Sequence, residues 1–280
     1  MPSVIVIGSV NLDLVATVDR LPTPGETVTG AELSRFPGGK GANQALAAKR
    51  LGADVELIAC IGDDAAGDEA LALLRDGGVD LGSCQQVDGA PTGTALIAVA
   101  PSGENHIVVA PGANRQLAPE VLDLPAADAL ICQLEVPTDT IARAAQDFNG
   151  FFAVNLAPAM HVDVAILQRA DLVVVNESEA AWYGESLTAC SGMIATTFGA
   201  AGAVLSRHGE DIARTKPPRI EAVDTTAAGD TFTAALTLAL VEGQSPQAAL
   251  EFACAAGAAA ATKLGAQPSL PTREDVEKLL

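Results

Sequence analysis

Two carboxylates stand six residues apart in DTTAAGDTF, Asp224 to Phe232, separated only by small and hydroxyl-bearing residues. The apolar run that follows, TFTAALTLALVEG, reads as a buried helix. Asp230 therefore falls in or near the first turn of that helix, where N–H groups lack partners and the helix dipole is positive. Ala227, Ala228 and Gly229 carry little bulk, so with Thr226 they can form an anion cradle. A lone Asp before a helix is an N-cap. A second one, with three small residues directly ahead of it, exceeds what capping requires. A carboxylate beside a phosphate-sized ring of N–H groups suits phosphoryl transfer. The amides stabilise charge spread over the equatorial oxygens, and the carboxylate takes the acceptor hydroxyl's proton.

Other polar residues follow apolar runs. Asn11 and Asp13 occur in GSVNLD and Glu135 in CQLEVP. In open parallel sheets ligands collect at the carboxyl ends of strands, where such side chains make paired hydrogen bonds to hydroxyls. Asn176 and Glu179, in VVVNESEA, read equally as ligand residues or as a helix cap with its capping-box partner. Glycines 38, 39 and 41 in FPGGKGANQA precede a helix. The stretch fails the Walker A pattern, because Gly41 follows Lys40, and fails GxGxxG, because Gln44 stands where the last glycine belongs. A tight turn into a helix, with Asn43 at the surface, and a ligand-approaching loop both remain open at this point.

The elements that must position these residues alternate. Residues 3–10, 54–60, 129–132, 151–155, 171–176 and 203–206 read as strands, several of them continuously apolar and so buried on both faces. Helical patterns occupy 41–51, 65–76, 138–147 and 178–183. This alternation predicts an α/β fold, a mostly parallel central sheet with helices on both faces. Residues 13–36 and 92–110 instead alternate with period two between turn signals, and predict a small separate sheet acting as a lid on one domain spanning 1–280. Helices at about 227–242 and 246–263, a loop GAQPSLP, and a last helix at 272–280 complete the chain.

The chain of 280 residues is 49% hydrophobic and 18% charged, which suits a large core. Aromatics make up only 3%, so that core must be built from Ala, Val, Leu and Ile. A formal charge of −19 argues against nucleic acid and anionic membrane as partners. Five cysteines, with no CxxC, give neither a metal-cluster nor a disulfide framework and fit a reduced, cytoplasmic compartment. The run PSVIVIGSV lacks a basic leader and reads as a strand rather than a signal peptide. No apolar run suggests a membrane span.

Together these segments resemble the ribokinase branch of the PfkB carbohydrate kinase family. The resemblance runs from GSVNLD through PTPGETVTG, GGKGANQA, CIGDD, GENHIVVAPGAN, QLE, NLAPA, NESEA and DTTAAGDTF to GAQPSLP, in the family's order. It implies a ribokinase-like fold and an ATP-dependent phosphorylation of the 5-hydroxyl of D-ribose, with sibling kinases for deoxyribose, fructose or a nucleoside as the nearest rivals. A nucleoside would need an aromatic slot, and the chain has one Trp and one Tyr. A catalytically idle sugar-binding protein of the same fold is a further alternative. A nicotinamide oxidoreductase would lack its glycine fingerprint.

Site residues follow from the same resemblance. Asp230 matches the catalytic base and Ala227, Ala228 and Gly229 the anion hole. Asn11, Asp13, Gly39, Lys40, Gly41, Asn43 and Glu135 match sugar-holding positions. Asn176 and Glu179 match an element near magnesium and phosphate, and Thr197, Phe198, Gly199, Ala200, Ala201 and Gly202 match the ATP loop. Asp224, Thr226, Ala260, Lys263, Gly265 and Ser269 match a potassium site whose ligands are largely backbone carbonyls. Cys254 stands where relatives often carry a histidine near the adenine, and the chain between Tyr183 and Ile194 is shorter than the family pattern by roughly a helix. The resemblance also implies a homodimer formed through the lids, closing over the sugar to exclude water.

Overall fold

The computed structural model describes residues 1–101 and 104–280. Residues 102 and 103, inside the second stretch expected for the small sheet, lie outside the described residues. The strands are β1 (Ser3–Ile7), β2 (Asn11–Thr17), β3 (Glu32–Gly38), β4 (Asp54–Gly62), β5 (Cys84–Val87), β6 (Gly93–Val99), β7 (Asn105–Ala110), β8 (Ala129–Gln133), β9 (Phe151–Asn155), β10 (Leu172–Asn176), β11 (Met193–Thr197), β12 (Ala203–Arg207) and β13 (Glu210–Thr215). The helices are α1 (Lys40–Arg50), α2 (Ala65–Asp76), α3 (Thr138–Asp147), α4 (Val164–Arg169), α5 (Glu177–Tyr183), α6 (Ala228–Val241), α7 (Pro246–Ala260), α8 (Ala266–Ser269) and α9 (Arg273–Glu277).

Nine strands form one sheet in the order β13-β12-β11-β10-β9-β8-β1-β4-β5. Pairing is parallel from β5 to β11, and β12 runs antiparallel to both its neighbours. Strand β1 explains why the sheet is covered twice. Val4 and Val6 enter one core with residues of α1, α6 and α7, while Ile5 and Ile7 enter the other with residues of α3 and α4. The order reverses at β1, between β8 and β4, which opens a crevice at the carboxyl end of that strand.

Helix α6 is buried almost all round because it lies in the core shared by α1 and α7. Each fully buried leucine there, such as Leu236, contributes about 1.5–3 kcal/mol. The second sheet has the order β3-β2-β6-β7, with β2 antiparallel to β3 and parallel to β6. Asn11 at the start of β2 pairs with Gly38 at the end of β3, so the sugar-reading candidates sit on one margin of this sheet.

Several elements went unread in the sequence. Strand β5 is a short edge strand, β11 ends in two threonines and β13 is half charged, so none has a clean apolar period. Helix α4 is six residues long, too short for periodicity to show. Helix α7 stops at Ala260, short of the expected 263. The carbonyl of Ala261 accepts instead from the N–H groups of Val223 and Asp224, at 2.8 and 3.2 Å, and so anchors the loop entering α6. The last helix is likewise shorter than expected, and the GAQPSLP loop contains the single turn α8. A 3₁₀ turn, Gly184–Ala189, joins α5 to β11 in the shortened region.

Candidate active site

The glycine cluster lets α1 start against the end of β1. Gly39, the N-cap, has φ 90°, and a Cβ there would lie 2.7 Å from the backbone nitrogen of Asn11. A Cβ on Gly41 would lie 2.5 Å from the carbonyl carbon of Gly8. Close backbone contact therefore fixes the entry of α1, and the Ala42 N–H donates to the Ser9 carbonyl at 2.9 Å. Asn43, expected at the surface if the loop were only a turn, is buried.

Asn43 and Gln44 reach Asp230 from α1. Asn43 Nδ2 donates to Asp230 Oδ2 and Gln44 Nε2 to Asp230 Oδ1, each at 2.9 Å. Asp230 is 6% exposed, and its remaining lone pairs face a cleft of about 200 Å³. Ala227, the N-cap of α6, has left-handed backbone (φ 62°), costing about 1–2 kcal/mol in a residue with a Cβ. The Ala228 N–H is used by the Thr225 carbonyl and the Thr231 N–H by the Ala227 carbonyl. That leaves the Gly229 and Asp230 amides without an acceptor among the described residues. A Cβ on Gly229 would meet nothing within 4 Å, and the residue lines this cleft.

Around Asp230 the charges are strongly unbalanced. Lys40 faces the carboxylates of Asp230, Glu135, Glu179 and Asp13. Burial alone would pull the Lys40 ammonium down, but those carboxylates outweigh it and hold the group protonated above its ordinary range. Asp13 is pushed up to about 7, first by burial and then by Glu135 and Asp230, with Lys40 opposing. Its carboxylate packs on Gly38, where a Cβ would lie 2.3 Å from Oδ2. Glu135 accepts from the Ser9 hydroxyl and from the Lys40 backbone N–H. Asn11 Oδ1 accepts from Asn114 Nδ2 at 2.8 Å, which leaves its amide NH₂ as the free donor.

The capping reading of Asn176 and Glu179 holds, and the two residues also line the cleft. They form a reciprocal capping box on α5, with bonds of 2.7 and 2.8 Å, and both line the cleft with Lys40 and Asp230. Glu179 is raised by burial, with the Asn176 N–H and Lys40 opposing and Asp230 adding to the shift. One carboxylate oxygen of Glu179 is taken by the cap and the other is left for a ligand.

A second cleft, about 510 Å³, adjoins the first. The two share Thr197, Thr225 and Gly229. Gly199, Ala200, Gly202 and Cys254 line the larger one, as expected. Phe198 and Ala201 belong to the same turn but do not line it, and Phe198 points its ring to solvent. Except for Cys254, the apolar wall was missed. It comprises Pro217, Pro218, Ile220 and Phe232, with Cys254, Gly257, Ala258 and Ala261 on one face of α7 and its end. That i, i+3, i+4, i+7 spacing was the available signal.

Asp224 ties the loop before α6 to the loop after α7. Its Oδ1 accepts from the Thr226 N–H and hydroxyl and its Oδ2 from the Gly265 N–H. Of the expected cation residues, Asp224, Thr226 and Gly265 are thus joined directly, and Ala260 adjoins the Ala261 anchor. Lys263 is exposed, and the Ser269 hydroxyl is buried and donates to the Ala266 carbonyl. Apart from the exposed Lys263 ammonium, the side chains and carbonyls of these residues offer only oxygen to a hard cation. No group of three or more His, Cys, Asp or Glu side chains placed to hold a metal ion occurs among the described residues.

A buried carboxylate and open helix amides, meeting where a small polar cleft joins a larger apolar one, define a phosphotransferase with an alcohol acceptor. The chain belongs to the pfkB family of carbohydrate kinases, which residues 1–273 match. It is 37% identical over 294 residues to the ribokinase of Bacillus subtilis (strain 168), with 100% of both chains covered. The crystal structure of ribokinase from Thermotoga maritima superposes with a TM-score of 0.91 at 35% identity, covering 100% of this chain and 99% of that one. The structure of Arabidopsis thaliana ribokinase complexed with ribose and ATP gives 0.89 at 30% identity, covering 99% and 98%. The fold is accordingly ribokinase-like. No helix among the described residues is long and apolar enough to cross a membrane.

Proposed function

We propose that this kinase transfers the γ-phosphoryl group of ATP to the 5-hydroxyl of D-ribose. The observation that carries the reading is the junction of the two clefts at Gly229, with Asp230 on one side and the apolar nucleotide-sized space on the other. Relatives named ribokinase, one of them complexed with ribose and ATP, support both substrates.

The sugar lies against Asn11, Asp13, Lys40, Asn43 and Glu135, whose acids and amides pair with hydroxyls. Asp230 takes the 5-hydroxyl proton as the oxygen–phosphorus bond forms and the bond to the ADP oxygen breaks. Amides at the start of α6 face the charge on the transferred group, and Lys40 balances part of it. Glu179 and Asn176 would hold Mg²⁺, directly or through water, and the metal when bound neutralises triphosphate charge. The surplus of carboxylates over Lys40 in this cleft fits that need.

Asp224, Thr226, Ala260, Lys263, Gly265 and Ser269 would hold K⁺, mostly through carbonyls, and so fix the loop that leads into the anion cradle. Replacing sodium with potassium at constant ionic strength is expected to raise turnover; equal rates in the two salts would remove this site from the mechanism. We also assign the small sheet as a lid that closes on the sugar. Its exposed Leu33, Leu96, Ile107 and Val108 support a homodimer formed through it. Five free cysteines support a reducing, cytoplasmic setting.

The test is a panel of pentoses, hexoses and nucleosides with ATP and Mg²⁺, read as ADP release and identified by the phosphorylated product. Ribose 5-phosphate as the principal product is expected. Preference for a nucleoside, or release of ADP with no sugar phosphate formed, would overturn the assignment.

A further inference from the structure

Behind the base lies a chain of buried amides to which nothing above assigns a role. Gln44 and Gln133 are fully buried. Gln133 Nε2 donates to Gln44 Oε1 at 2.6 Å, and Gln44 Nε2 donates to Asp230 Oδ1 at 2.9 Å and to Asn155 Oδ1 at 3.3 Å. Asn155 Nδ2 donates in turn to the Val174 carbonyl at 3.2 Å. The direction of every bond is set by its ends. An ionised Asp230 only accepts, so Gln44 must offer it the NH₂ group. The Val174 carbonyl only accepts, so Asn155 must show its oxygen to Gln44. Gln44 Oε1 then points at Gln133, which must donate.

We infer that Gln44, held in this orientation with the help of Gln133, is a positioning residue that keeps the base aimed at the cleft. The inference rests on Asp230 being the base. Gln133 does not touch Asp230, so it acts only through Gln44. Its own oxygen has no partner, and the amide fits only because residue 8 is glycine, where a Cβ would lie 1.9 Å from Gln133 Oε1. A buried orphan oxygen lowers stability, because it loses water and gains no donor. The amide is therefore retained at a cost to stability, which an apolar side chain would avoid. Without the Gln133 donor, the Gln44 oxygen loses its partner and only Asp230 and Asn155 hold the side chain, so it has more room to move away from the carboxylate. The other charged groups around Asp230 are Lys40, Asp13, Glu135 and Glu179, and all of them remain in place in the variant.

The experiment compares the parent, Gln133→Leu, Asp230→Asn and the double variant, with kcat and KM for ribose measured from pH 5 to pH 9. Gln133→Leu is expected to lower kcat at pH 7 by ~10-fold, as for a base whose holder has lost one hydrogen bond. KM should stay within about twofold of the parent's. In the Asp230→Asn background it should change nothing further, because its effect passes through that carboxylate. A kcat profile that superimposes on the parent's would overturn the inference, as would an equal further loss in the double variant. Gln133→Met, which keeps the volume and removes the donor, serves the same comparison if the leucine variant does not fold. Should Asp230→Asn alone retain full turnover, it is the assignment of the base that fails, and not only the amide clamp.

Discussion

Asp230→Asn is expected to lower turnover by ~10²–10⁴-fold, the usual worth of a positioned base, while ribose still binds. The substitution keeps the volume and removes the proton acceptor. It also has a structural side effect that follows from the clamp. Asn43 and Gln44 both present NH₂ groups to the carboxylate. An amide can satisfy only one of them with its oxygen, so one donor is left facing another. That mismatch costs about 1–3 kcal/mol. The variant should therefore melt lower than the parent, in addition to being slow. Calorimetric titration with ribose separates the two effects. Retained binding with turnover reduced a hundredfold or more assigns proton transfer to Asp230. If turnover were unchanged, or if ribose binding vanished along with the rate, the side chain would not be a dedicated base.

Much of this site was legible because its residues announce themselves by spacing. Asp230 stands beside three small residues at the head of an apolar helix, and the capping pair in NESEA has its own signature. The continuous apolar strands gave away the doubly covered sheet. The amide chain was hidden for a physical reason. A buried glutamine has no period and no charge, and its role depends on registry between distant elements. Gln133 lies opposite Asn155 in the β8–β9 pairing, and α1 lays Gln44 across them. Both glutamines sat in stretches already singled out, GGKGANQA and CQLEVP, yet nothing local marks them. The wall of the larger cleft was hidden differently. In a helix as alanine-rich as α7, the small face that admits a ligand looks like the faces that pack.

The behaviour of Asp13 was not legible either, since burial and two carboxylates from distant segments produce it, and it leads to the second large effect. Asp13→Asn is expected to raise KM for ribose by ~10²-fold through loss of charge-assisted hydrogen bonds, and yet to stabilise the sugar-free protein above neutrality. Asp13 is buried in the fold, and its carboxyl moves from the ordinary 3.8 to about 7. A raised pKa in an acid means that the folded state holds the proton more tightly than the unfolded chain does. Ionisation therefore favours unfolding. The loss begins as pH rises through about 4 and is complete above about 7, at a cost on the order of 4 kcal/mol. Asparagine does not ionise and avoids that cost, so the variant's melting temperature should exceed the parent's by several degrees at pH 8. At pH 4 the two should differ little. The same titration governs binding in the parent. Ribose hydroxyls pair best with the ionised form, so below about pH 7 KM should rise toward tenfold per pH unit, a dependence the variant should lack. A melting difference equal at pH 4 and pH 8 would show that ionised Asp13 is not the strained group. A KM for ribose that stays flat from pH 5 to pH 8 would remove its carboxylate from sugar recognition.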